Sequence, residues 1–107
     1  MVESLRLHAP SRRDAVVVPL PVVLAPMAGI TNAAYRALCL EQGAGLYVCE
    51  MLTSRGIIAG DQKTRSMLTF GPSETIRSVQ LYGVDPEIMA QATRTLITGH
   101  GVHHIDL

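Results

Sequence analysis

Leu24-Ala25-Pro26-Met27-Ala28-Gly29-Ile30-Thr31-Asn32 is the stretch whose reading decides the fold. An apolar run from Val16 to Leu24, broken only by Pro19 and Pro21, leads into it, and a helix-patterned segment from Ala33 to Gln42 leads away. It reads as the carboxyl end of a buried strand turning into a helix, the place where α/β proteins gather ligands. Ala25, Ala28 and Gly29 present almost no side chain, so a planar ring could lie close to the backbone there. Pro26 removes a donor and fixes the path of the chain, and Met27 offers a soft, polarizable contact. The same residues equally suit an ordinary strand-to-helix loop packed tightly for its own sake.

Working outward, Val22–Ala25 is the expected centre of the first core strand, and Thr31 or Asn32 can cap the helix that follows. Ala34, Ala37, Leu38 and Leu40 are its expected apolar face, and Gly43 stands where a helix stop belongs. On the amino-terminal side, a short strand is expected near Leu5–His8, then a polar connection broken by Pro10. Ser11-Arg12-Arg13 ahead of an apolar run has the outline of a twin-arginine export signal, but Pro19 and Pro21 fall inside the would-be apolar core.

Leu46–Met51 is a second apolar run without alternation, as in a parallel strand covered on both faces. Gly56 and Gly60 interrupt Ser54–Leu68, within which Asp61 can cap a short helix over Gln62–Met67. Ile76–Tyr82 reads as a third strand. Asp85-Pro86-Glu87 is a helix start with an N-cap acid, proline at the first helical position and an acid in the first turn. Ile88, Met89, Ala92 and Leu96 form that helix's stripe, His100-Gly101 closes it, and Val102–Leu107 begins a fourth strand. Strand and helix alternate throughout, which implies a parallel sheet built from βαβ units.

With 107 residues, 48% hydrophobic and 17% charged, the chain can bury one core. Three Tyr, one Phe and no Trp make that core aliphatic. Nine basic residues balance nine acidic ones, so net charge gives no long-range attraction to nucleic acid or an anionic membrane. No run reaches the ~18 uninterrupted apolar residues of a membrane span. Cys39 and Cys49, without CxxC or histidine at ligand spacing, read as buried small hydrophobes in a cytoplasmic protein. His103 and His104 are adjacent, so on a strand they point to opposite faces and make no two-ligand metal site.

Four motifs in order, Leu24–Asn32, Tyr47-Val-Cys-Glu-Met51, Val79-Gln-Leu-Tyr-Gly83 with Asp85-Pro86, and Ile105-Asp-Leu107, resemble the amino-terminal part of the tRNA-dihydrouridine synthases. The resemblance runs from about Pro21 to the end. It implies an α/β fold, the first half of a (β/α)8 TIM barrel truncated after strand 4, with residues 1–15 as a lead-in and 16–107 as the incomplete barrel. It further implies FMN as cofactor, NADPH as reductant and tRNA as substrate, uridine being reduced to 5,6-dihydrouridine.

By the same resemblance Pro26, Met27 and Ala28 match the turn against the FMN ring, and Gln80 matches a flavin-binding glutamine. Taken by itself, Gln80 is equally a satisfied core amide. Glu50, at a strand end, either orients substrate or pairs with a neighbour, and Asp106 braces a following loop. Neither Cys39 nor Cys49 matches the family's proton-donating cysteine, which belongs just beyond Leu107, so the chain alone is expected to be inactive. An isolated half-barrel would expose a strand edge and apolar interior, which favours self-association. Two other readings compete: a non-catalytic half-barrel acting through an interface, and a fragment of another FMN-barrel reductase acting on small molecules.

Overall fold

The computed structural model describes residues 3–7 and 15–107. The expected His8, the polar connection after it and Ser11-Arg12-Arg13 lie outside the described residues. The prolines do more than interrupt the first apolar run: they divide it. Val16–Val18 (β2) pairs antiparallel with Leu5–Leu7 (β1) in a small separate ribbon, and Val23–Leu24 (β3) alone enters the main sheet. Pro19 and Pro21 cannot donate to a ladder, so one continuous Val16–Leu24 strand does not form.

Beyond β3 the chain runs through α1 (Ala33–Glu41), β4 (Leu46–Thr53), α2 (Ser54–Ala59), α3 (Gln62–Met67), β5 (Ser78–Tyr82), α4 (Pro86–His100) and β6 (His104–Asp106). The sheet has the order β3-β4-β5-β6 with each neighbouring pair parallel. A mixed α/β fold of this kind is compatible with part of a TIM barrel.

Local chemistry sets the helix ends. Asn32 caps α1 through Oδ1, which accepts from Tyr35 N–H, and Asp85 Oδ1 caps α4 by accepting from Glu87 and Ile88 N–H. Asp61 caps α3: its carboxylate accepts from both the backbone N–H and the hydroxyl of Thr64, bonds that hold its pKa below the ordinary carboxylate value. The α2 helix was not expected from the sequence. Thr53 caps it and Gly60 ends it in the left-handed conformation at φ 64°, so the glycine that looked like an interruption is the stop.

The core lies on one side of the sheet. Cys49, Leu52, Val79 and Leu81 from the strands meet Ile57, Leu68, Ala92, Leu96 and Val102, with Met89 packed against them. The expected stripe of α4 is therefore buried at Ala92 and Leu96. That of α1 is not: Leu38 is 61% exposed and Ala34 is exposed, whereas Arg36 is 1% exposed. The reason is a partner the periodicity does not reveal, since Glu74 reaches Arg36 from 38 residues away and neutralises it inside the protein.

Candidate functional site

The turn after β3 is closed by its own backbone and one hydroxyl. Ile30 and Thr31 N–H both donate to Met27 O at 3.0 Å. Thr31 Oγ1 accepts from Met27 N–H at 3.0 Å and donates to Met27 O at 3.1 Å, and Thr31 is fully buried. Gly29 takes a positive φ of 72°, which an L side chain adopts only with strain. The outer surface of the turn is small and open. Ala25, Ala28 and Gly29 are exposed, Pro26 and Met27 are half-buried, and even a Cβ on Gly29 would meet nothing within 4 Å.

Glu50 does not end its strand as expected: β4 continues to Thr53, so Glu50 stands inside it, where the register with β5 shifts, and its carboxylate accepts from Gly29 N–H. Of the two roles open to Glu50, pairing with a neighbour is therefore realised within the chain. Next to it comes a row of polar side chains. Cys49 pairs with Val79 and Leu52 with Leu81, so a bulge sets Glu50 and Met51 together against Gln80, and Gln80 pairs in register with Asp106. Gln80 Nε2 donates to Asp106 Oδ2 at 3.0 Å, and one step back Ser78 Oγ lies 2.8 Å from His104 Nδ1. Since Val79 and Leu81 join the core, alternation along β5 places Ser78, Gln80 and Tyr82 on the opposite face. One face of the sheet is thus aliphatic and helix-covered, and the other carries the polar side chains of β5 and β6 beside the buried Val48 of β4.

The structure brings the Met27–Gly29 turn and Glu50 together and places Gln80 on the next strand of the sheet, across the bulge. Asp106 accepts from Gln80 Nε2 on the neighbouring strand. His103 Nδ1 accepts from Arg77 N–H while His104 meets Ser78, so the two rings serve separate partners as expected. Among the described residues no cluster of His, Cys, Asp and Glu could hold a metal ion, and no helix is long and apolar enough to cross a membrane. Clefts of about 430 Å³ and 280 Å³ open near the strand ends, the first touching Thr31, Glu50 and Met67 and the second Thr53, Tyr82 and Gly83.

Cys49 is fully buried and donates its S–H to Met67 O at 3.2 Å; burial pushes its thiol up to about 11, so near neutral pH it is a protonated thiol closed off from solvent. Sequence reasoning missed Arg36 and Glu74. Arg36 Nε and Nη2 donate to the Glu74 carboxylate, Nη1 donates to Thr31 O at 2.7 Å, and Nη2 also donates to Thr69 O at 2.7 Å. Glu74 accepts from Gly71 N–H as well. An arginine inside a helix otherwise patterned with Ala and Leu was the one available signal.

Comparison with known proteins adds the deciding observation: residues 23–107 match the family model described as dihydrouridine synthase (Dus). The chain belongs to the dihydrouridine synthase family. It is 53% identical over 95 residues to a probable tRNA-dihydrouridine synthase of Mycobacterium tuberculosis, covering 81% of this chain and 24% of that protein. It is 46% identical over 86 residues to tRNA-dihydrouridine synthase B of Shewanella oneidensis, and 41% over 86 residues to that of Escherichia coli K12. In both cases the match covers 80% of this chain and 26% of the relative, so this chain spans about a quarter of the length of the relatives it matches.

The turn and the polar row fit a flavin. A flat ring system can approach the small, open surface over Ala28 and Gly29. Gln80 uses its Nε2–H toward Asp106, which leaves the amide oxygen as an acceptor for the imide N–H of a flavin pyrimidine ring.

Proposed function

We propose that residues 16–107 are the amino-terminal half of a (β/α)8 barrel, ending after its fourth strand with residues 1–15 as lead-in, in a cytoplasmic flavoprotein that reduces uridine to 5,6-dihydrouridine in tRNA. The observation that carries this reading is the small, open Met27–Gly29 turn tied to Glu50 of the neighbouring strand, with the Gln80–Asp106 pair on the strands that follow, in a chain of the dihydrouridine synthase family. Pro26, Met27 and Ala28 hold the flat face of FMN, and Gln80 holds its pyrimidine edge. A bound FMN supplies hydride transfer from NADPH to the uracil ring.

The chain's own residues bind and orient. The hydroxyl of Thr31 and the carboxylate of Glu50 keep the turn in one shape, so the cofactor meets a surface already formed. Asp106 fixes which way the Gln80 amide faces, because its carboxylate only accepts. Glu50, engaged with Gly29, acts on the substrate through the turn. The buried thiol of Cys49 and the position of Cys39 on helix α1 support a proton donor to uracil C5 that is neither of these cysteines.

Exposed apolar surface supports the half-barrel reading. Val22, Val23 and Leu38 line an open groove of about 600 Å³ beside β3, and β3 and β6 are the two unpaired edges of the sheet. Such edges pair with the remainder of a barrel or, in its absence, with another copy. The test is NADPH-dependent dihydrouridine formation on tRNA lacking the modification, run beside FMN titration. The full-length protein is expected to be active and yellow, and the 107-residue chain inactive. Turnover by the chain alone, or a full-length protein that binds no flavin, would refute the proposal.

A further inference from the structure

The buried Arg36–Glu74 pair has no part in the reading above, yet it is the most heavily bonded side-chain cluster described here. Arg36 holds Thr31 O, Thr69 O and both oxygens of Glu74, and Glu74 holds Gly71 N–H. Phe70 lies between these anchors, its ring centroid 5.6 Å from the Arg36 guanidinium carbon and 5.2 Å from that of Arg77. The cluster joins two loops far apart in sequence, the Met27–Thr31 turn and the Thr69–Glu74 connection. A lysine-length point charge could not serve four acceptors at fixed angles, whereas the planar fork can.

We infer that Arg36 and Glu74 are positioning residues for the cofactor turn, acting through Thr31 to hold the Met27–Gly29 surface in its binding shape. The inference rests on the flavin reading of that turn. The chain of contacts is short. The Arg36 guanidinium fixes the Thr31 carbonyl, the Thr31 hydroxyl clamps Met27 N–H and O, and Met27 O in turn receives Ile30 and Thr31 N–H. Nothing in that path is free to rotate without breaking a bond to a buried group, and burial makes each such break costly. A core role alone would not need the fork aimed at a loop carbonyl, because a hydrophobic pair of similar volume fills space at no desolvation cost.

The experiment compares full-length protein with Thr31→Val, Thr31→Ser and Arg36→Lys variants, reading the FMN dissociation constant, the visible spectrum and reduction potential of the bound flavin, and the melting temperature of the flavin-free protein. Thr31→Val deletes the hydroxyl at nearly constant volume, so it reports even if Arg36→Lys does not fold. The expectation is about tenfold weaker FMN binding with an altered flavin spectrum in Thr31→Val and Arg36→Lys, and recovery in Thr31→Ser, which keeps the hydroxyl. Variants that melt lower yet bind FMN within about twofold of the parent, with unchanged spectrum and potential, would make the cluster purely structural and overturn the inference. Failure of the parent itself to bind FMN overturns the flavin reading first, and the inference with it.

Discussion

The carboxylate of Glu50, inside β4, accepts the backbone N–H of Gly29, 21 residues earlier in the turn after β3. The turn after β3 is thereby tied to the neighbouring strand by one charge-assisted bond. The bond selects the orientation of a peptide plane in the turn that is proposed to face the flavin.

Glu50→Gln keeps an oxygen acceptor, and Glu50→Ala leaves none. The alanine variant is expected to lose about 1 kcal/mol of stability and to weaken FMN binding, with the glutamine variant between it and the parent. Chemical denaturation and FMN titration check both. Equal effects of the two variants would mean that the carboxylate acts on something other than Gly29.

The two cysteines are expected to differ sharply in reactivity. Cys39 is half-buried, while burial pushes the Cys49 thiol from its ordinary 9.0 up to about 11. A thiol reagent at pH 8 should label one site in the folded protein and the second only after denaturation. The folded state holds the Cys49 proton more tightly than the unfolded chain. Its contribution to stability is therefore complete below pH 9 and declines as pH rises from about 9 to about 11.

Leu96→Ala should cost about 2 to 5 kcal/mol, because Leu96 is fully buried between α4 and the sheet. Leu38→Ala, at a site 61% exposed, should stay within about 0.5 kcal/mol in the 107-residue chain. A large loss at Leu38 in full-length protein, measured the same way, would show that the groove beside β3 is covered there.

Gly45 and Gly29 should respond differently to alanine. A Cβ on Gly45 would run into the backbone carbonyl of Leu20, where the chain from β2 passes close to the start of β4, so Gly45→Ala should cost roughly 1 to 3 kcal/mol through enforced backbone shifts. At Gly29 there is space, and the cost is the left-handed φ alone, about 1 kcal/mol. Melting curves of the two variants separate collision from conformational strain.

Breaking the buried pair from one side should be worse than removing it whole. Arg36→Met leaves the Glu74 carboxylate buried without its partner and should cost about 3 to 5 kcal/mol. The double variant with Glu74→Leu should recover part of that loss. Full additivity of the two single effects would show that the charges do not interact.

The sequence by itself determined the alternation of strand and helix from Val22 onward, because its signals are local. Asn32, Asp61 and Asp85 cap the helices they were expected to cap, Gly43 and Gly101 follow helix ends in positive-φ conformations, and the strands fall where apolar runs stand between turn residues. The small-residue turn and its order relative to Glu50 and Gln80 were legible for the same reason, and so was the family.

Only the tertiary structure decided what depends on partners distant along the chain. It parted Val16–Val18 from the main sheet, since pairing with Leu5–Leu7 is a long-range choice. It buried Arg36, against the pattern of α1, because Glu74 supplies an opposite charge from 38 residues away, and it left Leu38 in the open groove beside β3. It also assigned Glu50 to Gly29 and Asp106 to Gln80. A sequence states which side chains can accept a hydrogen bond, but the donor is chosen by where the sheet's register brings the backbone, and register is set by the packing of the whole core.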